Sequence, residues 1–358
     1  MTRPALDIAA VLATVGGDLV AGDGASTGSF SRLCSPAALC SGGAGPDAIV
    51  ILARQAELAA YTAASAAAVQ PLPGVMIIGP DIAVAALPQG INAVRVVDAR
   101  LALARISKVL DRRQPPAQGV HDSAQISASA RVDPASSVGA GTVVAEDAEV
   151  AKGTVLGPNS YLGRGSSLGA DCLVHANVTI YDGVSIGARV IIHSGAVIGA
   201  DGFGYAASQA GAVKIWHAGG VIIGDDVEIG ANTAIDRGTI DDTVVGARTK
   251  IDNLCQIGHN VTLGSDCLVA GTAAVGGSVS IGRGVIIGGN VAIADHVKIG
   301  DGARVAGRSG ITKDIPAGET WAGFPARPYR SYVRSLYLTD RLEQIWKHVR
   351  KRSKGDAE

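Results

Sequence analysis

The chain has 358 residues, a formal net charge of −1 and only 4% aromatic residues, while glycine occupies 48 positions. A net charge so close to zero gives no overall field that would favour binding to nucleic acid or to a membrane surface. No run of about 18 apolar residues predicts a transmembrane helix, and the N-terminus does not have the pattern of a secretory signal peptide. These features predict a cytoplasmic protein of two or three domains.

Residues 1–117 show no long-range repeat and are predicted to form a small α/β domain. Apolar residues at helical spacing favour a short helix near Ile8, and short β-branched runs favour buried strands. The expected elements are strands at Ile49–Leu52, Val75–Ile78 and Val94–Val97 and a helix at Leu101–Leu110 before the Pro115-Pro116 linker. The Gly- and Ser-rich stretch 21–46 is expected to be a long loop. Its two cysteines, Cys34 and Cys40, have no assigned role.

The central part of the chain, residues 118–315, repeats with a period of six. An aliphatic residue returns at every sixth position along the stretches Ile126–Ile198, Ile223–Ile235 and Val245–Ile311. Neither a helix nor a plain strand has this period, which is typical of a parallel β-helix built from hexapeptide repeats. Three hexads make one triangular coil, so residues about 18 apart should stack about 4.8 Å apart. The predicted fold is therefore mainly β, with the small α/β domain before the β-helix.

Some inward positions of the hexads hold cysteine, and two interruptions break the repeat. Cys172, Cys255 and Cys267 occupy small inward positions and are expected to be core residues, not disulfides or metal ligands. Residues 201–220 cannot continue the pattern and are predicted to protrude as a loop, where Phe203 and Tyr205 are candidate substrate-binding residues. Between Ile235 and Val245 the spacing is ten instead of six, which indicates a four-residue slip.

Residues 316–358 are predicted to be mostly helical and carry many basic side chains. The candidate partner-binding residues are Arg334, Arg341, Lys347 and Arg350. A solvated helix face would explain this charge, and a docking surface for an acidic partner is the alternative.

His259 is the main candidate for chemistry, because it breaks the repeat just after a corner of the coil. Gly277 lies eighteen residues later at the same place in its own hexad and is predicted to stack directly above the imidazole. A residue without a side chain there would leave a backbone N–H beside the imidazole, an arrangement suited to a general base next to an oxyanion donor. Asp252 could accept a hydrogen bond from the other ring nitrogen. An exposed corner that tolerates any polar residue is the simpler interpretation.

His296 lies thirty-seven residues after His259 and could line the same groove. A metal site is the rival interpretation of these histidines, since zinc in a trimeric β-helix needs three histidines that converge across subunits. No closely spaced histidine pair occurs, so no metal is predicted.

Several motifs resemble those of the UDP-3-O-acylglucosamine N-acyltransferases of lipid A biosynthesis, which are hexapeptide-repeat acyltransferases. The matching segments are Gly199–Ala206, Val227–Thr233, Ile235–Gly238 and Ile251–Asn260. The resemblance covers nearly the whole chain and is strongest from about Ala176 to Ile311. It implies a left-handed β-helix, a homotrimer with active sites between subunits, and no permanently bound cofactor.

The resemblance also implies a reaction. A 3-hydroxyacyl group would pass from the phosphopantetheine of acyl carrier protein to the 2-amine of a UDP-linked glucosamine. The implied catalytic residues are His259 as general base, Gly277 as oxyanion donor, Asp252 as support for His259, and His296. Asn253 and Asn260 belong to the same motif and are candidate substrate-binding residues. The basic tail would then dock acyl carrier protein.

One segment departs from the family. Val50, Ala53 and Ala56 stand where the family holds the uracil ring, so a stacking platform is absent unless Phe30 or Tyr61 replaces it. Three alternatives therefore stay open: a different amino-sugar acceptor, acyl-CoA as the donor, or a non-catalytic β-helix assembly protein. Gly310 and Thr312 could form the wall that limits the acyl-chain length.

Overall fold

The computed structural model describes residues 5–22, 28–41, 43–67, 72–111, 118–323 and 329–347. The chain divides into two compact units, Met1–Pro115 and Pro116–Glu358. None of the helices in these ranges is long and apolar enough to cross a membrane.

The first unit is a five-stranded sheet with helices. The strands, in spatial order, are Asp18–Ala21, Asn92–Arg95, Val75–Ile78, Ala48–Leu52 and Arg32–Cys34. The first of these pairs antiparallel to its neighbour and the others are parallel. The helices are Ile8–Val15, Pro36–Cys40, Gln55–Ala67 and Ala99–Val109, with a 3₁₀ turn at Val84–Ala86. The central strands are buried on both faces, which explains their unbroken aliphatic sequences.

The sequence predicted part of this unit. The strand Val75–Ile78 is confirmed, while the strand expected at Val94–Val97 occupies Asn92–Arg95. The loop expected over 21–46 is wrong, because this stretch contains the strand Arg32–Cys34 and the helix Pro36–Cys40. The helix starts with Ser35 as N-cap, whose side chain accepts a hydrogen bond from the Ala38 N–H at 3.1 Å. Such a short capped helix carries too few residues for a clear period.

The second unit is a parallel β-helix, as predicted. Its short strands stack into three faces of ten, nine and eleven strands. The first face contains Gln125–Ile126, Val143–Val144, Tyr161–Leu162, Thr179–Ile180, Val197–Asp201, Ala234–Arg237, Gln256–Ile257, Ala274–Val275, Ala292–Ile293 and Gly310–Ile311. The second contains Arg131–Val132, Glu149–Val150, Ser167–Leu168, Ser185–Ile186, Val221–Ile223, Thr243–Val245, Thr262–Leu263, Ser280–Ile281 and Lys298–Ile299. The third contains Gly119–Val120, Ser137–Val138, Val155–Leu156, Leu173–Val174, Ile191–Ile192, Glu228–Ile229, Lys250–Ile251, Leu268–Val269, Ile286–Ile287, Arg304–Val305 and Thr320–Trp321.

The repeat explains the packing of this unit. The aliphatic residue of each hexad points inward, and together with the small inward residues it forms one continuous core. Cys172, Cys255 and Cys267 are buried in that core, as expected. Between regular coils, paired residues lie 18 apart, as Val143 does from Gln125 and Tyr161.

The two interruptions change the sequence separation between paired residues of neighbouring coils, but the coils still stack. The insertion contains a hairpin, Tyr205–Ser208 paired with Gly211–Lys214, after which Glu228 pairs with Ile191. Lys250 then pairs with Glu228 across the slip. After Ile311 one further strand, Thr320–Trp321, pairs with Arg304–Val305. A helix follows at Tyr329–Thr339, and residues 342–347 are also helical.

Candidate active site

The predicted histidine site is an open cleft of about 660 Å³ at one corner of the β-helix. It lies where the first face ends, so its walls come from successive coils and from the insertion. The lining residues are Asp201, Gly202, Phe203, Tyr205, Asp236, Gln256, Gly258, His259, Val275, Gly276, Gly277, Asp295 and His296. The structure thus brings the predicted residues His259, Gly277, His296, Phe203 and Tyr205 together around one cleft.

Gly277 lies against the imidazole of His259, as the spacing predicted. An ideal Cβ built on Gly277 would lie 2.6 Å from His259 Nε2 and 2.7 Å from Cε1. Any side chain at this position would therefore collide with the ring. Ile257 and Val275 pair in register, which fixes the two corners one above the other.

The N–H of Gly277 has no hydrogen-bond acceptor among the residues that the structure describes. In two other hexads, the residue at the same place as Gly277 donates its backbone N–H to an acidic side chain of the next coil. Arg164 N donates to Asp182 Oδ1 at 2.9 Å, and Arg283 N donates to Asp301 Oδ1 at 2.8 Å. Asp295 holds the corresponding place above Gly277 but is exposed and makes no such bond. The donor beside His259 is thus left available to a ligand.

The tautomer of His259 follows from its neighbours. The amide of Asn260 is oriented by two backbone groups: Thr239 N–H donates to its Oδ1 at 2.9 Å, and its Nδ2 donates to Asp241 O at 2.8 Å. His259 Nδ1 lies 3.0 Å from that same Oδ1. Because an amide oxygen only accepts, Nδ1 must carry the proton. The lone pair of a neutral His259 is then on Nε2, the atom beside Gly277.

His217 is a member of the site that sequence reasoning missed. Its ring lies edge to face with His259, with ring centroids 5.4 Å apart and an interplanar angle of 74°. The side chain is only 7% exposed, and its Nε2 has no partner among the described residues. Its Nδ1 lies 3.1 Å from Ile215 O. The insertion carries His217, and an aperiodic insertion gives no register from which this contact could be predicted.

Glycines in the insertion allow its backbone to approach both rings. A Cβ on Gly202 would lie 2.7 Å from His259 Cβ and 3.0 Å from His217 Nε2, and one on Gly204 would lie 2.9 Å from His217 Cε1. The rest of the insertion is held by an ion pair between Lys214 and Asp201 at 2.6 Å. This pairing lowers the pKa of Asp201, chiefly through the hydrogen bond from Lys214.

Asp236 is the second residue that the sequence did not identify as functional. It lines the cleft one coil below His259, and Gln256 Nε2 donates to its Oδ2 at 2.8 Å. Burial raises the pKa of Asp236, and the hydrogen bond from Gln256 is the main effect that opposes this rise. Asp236 directly precedes the four-residue slip, so its position relative to His259 could not be counted from the repeat.

Asp252 does not support His259 within one chain, so this prediction needs correction. Its Oδ1 accepts from Asn253 N at 2.8 Å and its Oδ2 from Gly271 N at 3.0 Å. The physical reason is the period itself: six residues cover one face, so a residue seven positions before His259 lies at the preceding corner. Within the described chain, Asn260 and Thr239 are the groups that contact His259 Nδ1.

Asp252 and Asn253 instead line a second cleft on the third face. This cleft has a volume of about 750 Å³ and also contains His193, Glu228 and Lys250. His193 Nε2 lies 3.0 Å from Glu228 Oε1, and Asn253 Oδ1 accepts from Ala231 N at 2.6 Å.

The remaining predicted residues are exposed where the structure describes them. Phe203 and Tyr205 contact each other edge to face at the mouth of the histidine cleft, and Phe203 is 88% exposed. Arg334, Arg341 and Lys347 are exposed on the C-terminal helical segments. Arg341 lies over the Tyr337 ring and Lys347 pairs with Glu343. Arg350 lies outside the described residues.

The N-terminal unit offers no aromatic platform for a base. Val50 is buried in its strand, while Ala53 and Ala56 are exposed. Residues 1–117 contain two aromatic residues, Phe30 and Tyr61. Phe30 is 0% and Tyr61 2% exposed, and each packs in a hydrophobic core. Neither ring can therefore replace the missing stacking residue.

The fold and the site define a class of protein. Residues 165–200 and 278–313 match the model for the bacterial transferase hexapeptide (six repeats), and residues 210–240 match the hexapeptide repeat of succinyl-transferase. The Arabidopsis UDP-N-acetylglucosamine acyltransferase is similar in structure, with a TM-score of 0.52 and 24% identity over 57% of this chain and 71% of that one. This likeness shows the fold alone. The predicted fold class, a hexapeptide-repeat β-helix, is thereby confirmed.

More specific relatives share part of the sequence. The UDP-3-O-acylglucosamine N-acyltransferase of Rhizobium meliloti is 56% identical over 137 residues, which are 38% of this chain and 39% of that protein. The enzyme of the same name from Methylorubrum extorquens is 39% identical over 144 residues, 40% of this chain and 41% of that protein. The chain thus matches about two fifths of the length of these relatives. The predicted resemblance to this family is confirmed over the aligned part.

Proposed function

We propose that this protein is an N-acyltransferase that moves a 3-hydroxyacyl group from a thioester on acyl carrier protein to the 2-amine of a UDP-3-O-acylglucosamine, a step of lipid A biosynthesis. The observation that carries the proposal is the contact between His259 and Gly277. In the neutral ring the lone pair is on Nε2, which lies beside a backbone N–H that has no acceptor among the described residues. Partial identity to N-acyltransferases of this name supports the choice of substrates.

The proposed chemistry uses both groups. The amine nitrogen attacks the thioester carbonyl carbon, a C–N bond forms, and His259 Nε2 takes one proton from the nitrogen. The Gly277 N–H donates to the oxygen that becomes negative in the tetrahedral intermediate. The C–S bond then breaks, and the proton on His259 passes to the leaving sulfur. The products are an amide and the free thiol of phosphopantetheine, and no permanently bound cofactor takes part.

A homotrimer would complete the site, and the outward side chains support this. On the second face the outward positions are mostly charged or small and polar: Arg131, Glu149, Ser167, Ser185, Thr262, Ser280 and Lys298. On the third face several are apolar: Val155, Leu173, Ile191, Leu268 and Ile286. An apolar face of this kind favours burial against another copy. In such a trimer, Asp252 and Asn253 of one subunit would face the His259 cleft of the next.

His296 and the basic tail have roles that rest on this reaction. His296 N donates to Gly277 O at 3.0 Å, so the residue follows the oxyanion corner directly in the stack. Its exposed imidazole would contact the donor thioester. Arg334, Arg341 and Lys347 would attract acidic acyl carrier protein, mainly by raising the association rate. Phe203, Tyr205 and Asn260 would line the path of the substrates.

The test is acyl transfer by the purified chain, from acyl carrier protein loaded with a 3-hydroxyacyl group to UDP-3-O-acylglucosamine, with the amide detected by mass spectrometry. The wild type should form the amide. His259→Ala should lose at least about a thousandfold in kcat, since it removes the base. His121→Ala is the matched control, because His121 is an exposed histidine of the first coil. A His259→Ala protein with unchanged activity would disprove the assignment.

A second candidate, the same chemistry on another amino-sugar acceptor, is favoured by the buried Phe30 and Tyr61. Aromatic stacking of a base is worth about 1–3 kcal/mol, so its absence should weaken UDP binding about fivefold to about 150-fold. Calorimetry with UDP and with UDP-3-O-acylglucosamine separates the two. Micromolar binding of UDP alone would exclude the second candidate. If UDP-3-O-acylglucosamine binds and UDP alone does not, the second candidate is favoured.

A further inference from the structure

Asp236 stands out as the partly buried carboxylate of the histidine cleft that has no basic partner in the described chain. Three carboxylates line this cleft. Asp201 is paired with Lys214, and Asp295 is exposed to solvent. Asp236 is partly buried, and its one hydrogen-bond partner is the neutral amide of Gln256, on Oδ2. Its Oδ1 has no partner among the described residues.

The basic residues near Asp236 are committed to other groups. Arg237, its neighbour in sequence, donates from Nε to Gly219 O at 2.6 Å and from a terminal nitrogen to Asp182 O at 3.1 Å. Lys214 is held by Asp201 and also lies over the Trp216 ring at 4.4 Å. The imidazoles of His259 and His217 are near Asp236, but neither pairs with it among the described contacts. A partly buried carboxylate without a cation is costly unless a ligand completes it.

The stacking places Asp236 in line with the rest of the site. Ile235, Ile257 and Val275 pair in register on three successive coils. His259 and Gly277 each follow their aliphatic residue by two positions and stack directly, whereas Asp236 follows Ile235 by one position and lies at the start of the same corner, one coil before His259. Asp236 lies below the base, and Gly277 lies above it.

We propose that Asp236 binds the amino group of the acceptor in its protonated, cationic form and places it beside His259. This inference rests on the proposed N-acyl transfer and names the residue that would select an amine over a hydroxyl. The order along the corner then matches the order of the reacting groups. The ammonium contacts Asp236 Oδ1 and loses one proton to solvent to become the free amine. That amine loses a second proton to His259 as it attacks a carbonyl whose oxygen faces Gly277.

The selectivity has a physical basis in charge. A charge-assisted hydrogen bond contributes more than a neutral one, and a hydroxyl cannot supply the counter-charge that a partly buried carboxylate lacks. The difference should amount to at least about tenfold in affinity. Gln256 contributes by holding the other carboxylate oxygen, so that Oδ1 is oriented toward the cleft.

The test compares two acceptors without donor present, so that binding is measured apart from turnover. The ligands are UDP-3-O-acylglucosamine and its 2-hydroxy counterpart, UDP-3-O-acylglucose, titrated by calorimetry at pH 7. The wild type should bind the amine at least about tenfold more tightly, and Asp236→Asn should reduce that preference to about twofold or less. Asp236→Ser serves as a second variant, and Asp122→Asn, an exposed carboxylate of the first coil, is the matched control.

Several outcomes separate this inference from the proposed reaction. An equal amine preference in wild type and Asp236→Asn, or no preference in the wild type, would overturn the role of Asp236. Amine-selective binding that depends on Asp236, without amide formation when the loaded carrier protein is added, would overturn the reaction and keep the amine site. If neither ligand binds the wild type, the amine site for this sugar is also overturned.

Discussion

Gly277→Ala tests the central contact of the site with a single added methyl group. The new Cβ would lie 2.6 Å from His259 Nε2, whereas ordinary contact begins at 3.4 Å. The ring must therefore move by roughly 1 Å, a displacement that can cost about a hundredfold in rate. Alanine keeps the backbone N–H, so the loss would come from misalignment of base and donor. We expect kcat to fall by about a hundredfold, with a smaller effect on KM.

The assay measures amide formation under saturating substrates, together with the thermal unfolding midpoint. Gly289→Ala is the matched control, since Gly289 holds the same place in its hexad and its Cβ would meet its nearest atom, Gly271 O, at an ordinary 3.4 Å. Both variants should unfold within a few degrees of the wild type, because neither glycine has a positive φ. Full activity of Gly277→Ala would refute the idea that close contact between this backbone and His259 is needed.

Three further predictions concern residues around this contact. His217→Ala should lower kcat about twofold to tenfold by releasing the His259 ring, because an edge-to-face aromatic pair contributes about 0.5–1.5 kcal/mol. His217→Phe keeps an aromatic ring and should retain most activity, so equal losses in both variants would contradict this. A Cβ on Gly310 would meet no atom within 4 Å, and Gly310 continues an outward row of small residues from Ala274 and Ala292. If the acyl chain lies along that row, Gly310→Met should shorten the preferred chain in a competition between donors, and an unchanged preference would exclude the row as the groove. Since burial raises the pKa of Asp236, the folded state binds the proton more tightly than the unfolded chain does, and the carboxylate costs stability above its raised pKa. Asp236→Asn should therefore raise the unfolding midpoint at pH 7, with a gain that shrinks as the pH falls toward the ordinary value of 3.8, and a lower midpoint at pH 7 would contradict the sign.

Parts of the site could be predicted from the sequence only where the six-residue repeat is uninterrupted. Gly277 and His259 are one coil apart in an uninterrupted stretch, where the stacking distance follows from counting residues. The same counting places Asp252 one face away from His259. The prediction that Asp252 supports His259 did not take this separation into account. Its possible role then depends on a second chain. In the N-terminal unit no repeat exists, and only the burial of Phe30 and Tyr61 in the structure shows that neither can stack on a base.

His217 and Asp236 could not be predicted because both lie next to breaks in the repeat. His217 ends the insertion, whose hairpin pairs by its own antiparallel register. Asp236 precedes a slip that changes the separation of stacked residues from 18 to 22. A repeat predicts which residues stack on each other only within a stretch that the repeat covers without a break. Side chains at its breaks are placed by local hydrogen bonds, such as the one between Asp236 and Gln256.

Both breaks converge on the same histidine, which gives a physical reason for their presence. The end of the insertion is bound to the slip, since Ala218 N donates to Thr239 O at 2.8 Å and Gly219 N to Gly238 O at 3.0 Å. The insertion thereby brings His217 against the His259 ring, and the slip brings Thr239 within 3.4 Å of Nδ1. A regular β-helix would supply neither contact, because every coil would present the same corner. The regular coils place Gly277 above His259, and the irregular segments orient the ring toward it.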